Sequence, residues 1–187
     1  MKNAWILTVF ACSLAWAELP PQGIYLADSD LSRVEFKIKN LGIPTKGRFD
    51  VFSAEIRIGE TLEECSVWGS VETASIHTGI HARDKHLRSK TFFEVDKYPA
   101  MTFKSAQIIG AVDSFQMTGD LTIKDITRPV TFDCKYVPDF SGKSPGEFSA
   151  ETKIKRKDFG IDSFPTISNE LKIFLTIYLD SGKSLPQ

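Results

Sequence analysis

Cysteine and histidine are scarce here, and their scarcity limits the chemistry available to the chain. Its 187 residues hold three of each, and Cys12 falls within an N-terminal apolar run. The other two, Cys65 and Cys134, can form at most one disulfide. Cys134 shares the apolar parity of Phe132 and Tyr136, where a buried free thiol is as natural as a bond, so the pairing stays open. Neither has a neighbour that would activate it, and no G-x-S-x-G elbow is present, so no catalytic residue is assigned. His77, His81 and His86 fall close together, but no cysteine or repeated carboxylate accompanies them at ligand spacing, so no metal site is expected. An excess of one charge is also missing: 23 basic residues stand against 24 acidic ones, interspersed, which argues against nucleic acid as a partner. The one dense basic spot, Lys153, Lys155, Arg156 and Lys157, reads as a solvated strand end.

Long apolar runs are missing beyond the N-terminus. Residues 4–16 are largely apolar, follow Lys2 and end in the small-x-small triplet Ala15-Trp16-Ala17. This pattern reads as a cleaved signal peptide over 1–17, and it is shorter than the ~20 residues of a membrane span. Cys12 after Ala11 raises a lipoprotein alternative, which Phe10 and the very short preceding run disfavour. The expectation is an exported, periplasmic protein whose residues 18–187 form a single domain, enough to bury roughly 70% of its unfolded surface.

What the chain has in quantity is alternation. Phe115, Met117, Gly119, Leu121 and Ile123 alternate with polar residues. So do Val130, Phe132, Cys134 and Tyr136; Phe148, Ala150, Thr152 and Ile154; Leu171 to Leu179; and Val34, Phe36 and Ile38. One wet and one apolar face per strand marks antiparallel sheet. Turn chemistry separates the strands at 27–30, 59–60, 110–113, 125–129 and 139–146. Parity changes near Val51, which predicts a bulge there.

Residues 75–99, SIHTGIHARDKHLRSKTFFEVDKYP, interrupt the strands. Thr78 is placed to cap a helix, and Ile80, Asp84, Leu87 and Thr91 follow helical spacing, so a short surface helix is expected at about residues 79–93. Arg83, Asp84 and Arg88 read better as braces to loops than as free ion pairs, which contribute only about 0–1 kcal/mol when exposed. One helix in a β chain is expected to cover the mouth of a barrel. A barrel of about eight strands is either filled by its own side chains or hollow enough for one ligand, and the pattern does not separate the two.

The string TASIHTGIHARDKHLRSKTFFEVDKYPAMTFKS resembles the hallmark of the YceI-like family of exported polyisoprenoid-binding proteins. GDLTIKDITRPVTFD, RKDFGI and NELKIFLTI continue the resemblance in the right order. One departure is Asn40, where family members often carry histidine before the glycine ending the second strand. The resemblance implies an all-β fold, an extended antiparallel lipocalin-like barrel. It also implies non-enzymatic binding, storage or transport of an isoprenoid, quinone-like or other long-chain amphiphile as ligand, with no further cofactor. Inward parity then selects Phe36, Phe103, Phe115, Met117, Phe132, Phe148 and Ile173 as tunnel lining, with Arg83 and His86 at the mouth. An enzyme acting on a lipid head group and a filled structural barrel are the competing readings. Membrane-surface contact would serve lipid exchange, and exposed edges or an apolar mouth would serve a homodimer.

Overall fold

The computed structural model describes residues 18–139 and 144–180; the expected leader with Cys12 and the tail from 181 lie outside the described residues. The chain runs β1 (Gly23–Leu26), β2 (Arg33–Asn40), β3 (Ile43–Phe49), β4 (Phe52–Ile58), β5 (Ser66–Glu72), β6 (Ile76–His77) and α1 (His81–Arg88). It continues through β7 (Ala100–Ala111), β8 (Ser114–Ile123), β9 (Ile126–Pro138), β10 (Gly146–Lys155) and β11 (Ile167–Tyr178). Each of the five alternating stripes is a strand. All pairings are antiparallel and join into one eleven-stranded sheet in the order β1-β4-β5-β7-β8-β9-β10-β11-β2-β3-β6.

The sheet curls into a barrel-like wall. Ala27, just past β1, bridges Leu179, just past β11. The Asp28 amide donates to the Tyr178 carbonyl at 2.8 Å and the Asp180 amide to the Leu26 carbonyl at 2.9 Å. Eleven strands replace the expected eight or so because β1 has four residues and β6 two, too short to show alternation.

The parity change near Val51 is not a bulge. β3 ends at Phe49 and β4 starts at Phe52, and the chain turns a corner between them, with Phe49 buried and Val51 exposed. Here the Glu72 amide donates to the Val51 carbonyl at 2.9 Å. Irregular register occurs instead between Ser105 and Gln107 of β7, and between Ile167 and Leu171 of β11. Gly119 of β8 faces the first of these. A Cβ there would stand 2.3 Å from the Lys104 carbonyl oxygen and 2.6 Å from the Phe103 ring, so only glycine lets the strands approach so closely. The turn expected over 125–129 is tighter, at Lys124 and Asp125, and Pro129 lies within β9 opposite Asp120.

The helix is shorter than expected and ends at Arg88. Thr78 does not cap it. The Thr78 amide and hydroxyl both donate to Asp84 Oδ1, at 2.8 and 2.5 Å, because a carboxylate only 6% exposed must be satisfied by donors. Ile80 is 53% exposed and faces away, so Leu87, Phe92 and Phe93 supply the apolar contacts of the segment.

Candidate functional site

Inside the curled sheet lies a cavity of about 310 Å³. The barrel interior is therefore not filled. Phe36, Phe103, Phe115, Met117, Phe132, Phe148 and Ile173 all line it, with Met101, Ile108, Leu121 and Ile154. The large rings meet edge-on along the wall: Phe103 with Phe132 at 5.2 Å between centroids, and Phe115 with Phe148 at 6.4 Å. Ala54, Gly69 and Ala150 sit among them. Small residues between rings held against the wall leave the middle open.

At the α1 end, the polar residues Arg83, Thr78, Asn40 and Thr45 line the cavity beside Leu87, Phe92 and Phe93. Arg83 is anchored there: Nε donates to Thr78 Oγ1 at 2.7 Å and Nη2 to the Thr78 carbonyl at 2.8 Å. His86 is a correction, since it does not line the cavity. Its exposed ring stands edge-on to Phe92 and Phe164, at 5.1 and 5.2 Å, and this packing holds it outside the lumen. His77 stands 3.4 Å from Asp50 Oδ2 and 3.0 Å from Arg48 Nη2.

Two arginines fix the segments around this end. Arg88 donates to the Ala74 carbonyl at 2.6 Å and the Ile76 carbonyl at 2.8 Å. Arg156, only 4% exposed, donates to the carbonyls of Ile161, Ser163, Phe164, Ile167 and Ser168. Arg156 is therefore not part of a solvated face, as the basic spot suggested. It occupies the inward parity of Ile154, and the loop after β10 wraps around it.

Reactive groups near the cavity are subdued. Burial, with Asp133 beside it, pushes the Cys134 thiol up to about 12. Burial also raises Cys65, helped by Glu64 and Glu63, and the two cysteines are free thiols, not a disulfide. For Asp84, burial would raise the carboxyl. Hydrogen bonds from the Thr78 hydroxyl and amide, with His77 and Arg88 nearby, outweigh it and hold the group below the usual carboxylate range.

Comparison with known proteins places this geometry. The YceI-like domain matches residues 25–179. The chain belongs to the YceI-like family. A UPF0312 protein of Vibrio parahaemolyticus is 30% identical over 190 residues, covering 94% of this chain and 98% of the relative. Among solved structures, Burkholderia cenocepacia BcnA superposes with a TM-score of 0.75 at 25% identity, covering 81% of this chain and 98% of BcnA. A polyisoprenoid-binding domain from Saccharophagus degradans, at 16% identity and TM-score 0.63, shares the fold over 85% of this chain and 98% of its own length.

In this YceI-like chain the motifs mostly build the α1 end. The first supplies α1 with Arg83, Asp84 and Arg88, and the second the β8–β9 hairpin. The third supplies Arg156, Phe159 and the left-handed Gly160 at φ 69°. Sequence reasoning missed Thr45, Thr78 and Asn40 as lining. The first two are polar residues on otherwise ordinary strand and loop positions, without a local signal. Arg156 did carry one, in its parity.

Proposed function

We propose that this protein binds a long-chain amphiphilic lipid, isoprenoid or quinone-like, in the lumen of the curled sheet and carries it in the periplasm without altering it. The observation that carries the reading is the open, almost wholly apolar cavity, with the Arg83 guanidinium in its lining at the α1 end. The Saccharophagus domain of the same fold, which binds polyisoprenoid, supports it. Each methylene moved from water to such a lining contributes roughly 0.8 kcal/mol, so a chain of many carbons binds tightly even after its ordering cost. Specificity then needs little polar chemistry: Arg83, with Thr78 and Asn40, meets the head group.

Binding without turnover is favoured by the state of the reactive groups. Both thiols are raised, and Arg83 and Arg156 are already engaged with backbone and hydroxyl partners. The test is organic extraction of protein purified from its native compartment, followed by mass spectrometry, with uptake of added quinone measured in parallel. A copurifying prenyl or quinone-like lipid is expected. A folded Phe115→Asp variant should lose it; full retention would count against the lumen as the site. Turnover of a prenyl phosphate or ester by the native protein would replace carriage with catalysis.

A further inference from the structure

We propose that the β2–β3 hairpin docks the protein onto an anionic phospholipid bilayer, with Leu41 and Ile43 as its apolar tip and a cross-strand row of lysines beneath. The inference deepens the lipid-binding reading, on which it rests for its purpose. Register places Lys46 of β3 opposite Lys37 of β2, Lys37 opposite Lys172 of β11, and Lys172 opposite Lys153 of β10. All four are exposed, so like charges face one another across four adjacent strands.

Opposed like charges destabilise a sheet, so the row needs a reason. Lysines often guard strand edges, but β2, β10 and β11 are each paired on both sides and have no edge to guard. Compensation among the described residues is partial, with Glu35 and Glu151 next along the outward face from Lys37 and Lys153. Glu170 comes within 4.0 Å of Lys153, and Lys37 sits over the Phe174 ring at 4.3 Å. One outward position nearer the α1 end, Lys39 adds a further positive charge, while Lys155 stands opposite Glu170. An anionic surface would relieve the repulsion.

The tip distinguishes a bilayer from an acidic protein. Leu41 is 73% exposed and Ile43 67%, both aliphatic, and Phe164 beside them is 42% exposed. The Leu41 amide is tied to the Thr166 carbonyl at 2.9 Å, which joins the hairpin tip to the Phe164 loop. From Lys37 to Leu41 an extended chain spans about 13 Å, enough for the tip to enter the acyl boundary while the lysines meet phosphates. The inner face of the same hairpin, through Ile38, Asn40 and Thr45, lines the lumen. Docking therefore brings the α1 end of the cavity to the membrane that supplies a water-insoluble ligand.

The test is co-sedimentation of the purified protein with vesicles of phosphatidylcholine, alone or mixed with phosphatidylglycerol. Binding to the mixed vesicles, weakening as salt rises, is expected. Lys46→Glu/Lys172→Glu should reduce it at least about 25-fold, at about five-fold per lysine. Leu41→Asp/Ile43→Asp should also reduce it, and Lys46→Gln/Lys172→Gln serves if the reversal unfolds the protein. None of these residues lines the cavity, so quinone uptake from detergent should persist in every folded variant. Equal binding to uncharged vesicles, no vesicle binding, or wild-type binding by the folded variants overturns the docking. Lysine-dependent vesicle binding by a protein that takes up no quinone leaves the docking standing and removes the lumen reading.

Discussion

Single residues at the α1 end hold more of this fold together than their exposure on paper suggests. Arg156 satisfies five backbone carbonyls from inside the protein, with no carboxylate among its hydrogen-bond partners in the described residues. Arg156→Met should cost about 2–4 kcal/mol in urea unfolding, and Arg156→Lys should recover less than half, since three ammonium donors cannot reach five acceptors. Its inward parity was legible, but the loop that surrounds it is non-local and was not. Asp84 gives a pH dependence. Its folded carboxyl titrates below its unfolded value, so its stabilisation is complete above the ordinary Asp range and is lost as pH falls through the lowered value. Asp84→Asn should therefore lower stability at neutral pH by about 1–3 kcal/mol and flatten the acid limb of a plot of unfolding free energy against pH. The Cys134 thiol, pushed up to about 12, should resist iodoacetamide at pH near 8 in the native state and react once denaturant exposes it, as mass spectrometry would show.

At the scale of elements, the long strands were readable because alternation survives wherever one face is wet. β8 shows it best: Phe115, Met117, Gly119, Leu121 and Ile123 are all buried. Elements defined by partners instead of pattern were not readable. β6 exists because Ile76 and His77 lie against Phe49 and Arg48, and a two-residue strand has no periodicity to detect. The corner at Asp50 and Val51 mimics a bulge in parity because both shift the alternation by one. α1, only eight residues long, is too short to stand alone in water and depends on Arg88, Arg83 and Asp84 to fasten it. Arg88→Met should free it: hydrogen exchange in residues 81–88 should rise well above that of β8, while the strands keep their protection.

At the scale of the whole molecule, family motifs made the fold legible, whereas the hollow interior was not. The same phenylalanines could have met across the middle, and only their placement against the wall leaves space. A cavity of about 310 Å³ is finite, so only a limited length of chain fits inside it. Competition among prenols of graded length, read by native mass spectrometry, should show affinity rising with chain length and levelling off once the lumen is full.

The Ala27–Leu179 bridge has a consequence in time. It joins segments from opposite ends of the described chain, so the hoop cannot shut until nearly all of the polypeptide is available. Contacts so distant in sequence form late and slowly. Until then the oily stripes of the central hairpins face water, and the chain is most exposed to aggregation before its last strand arrives.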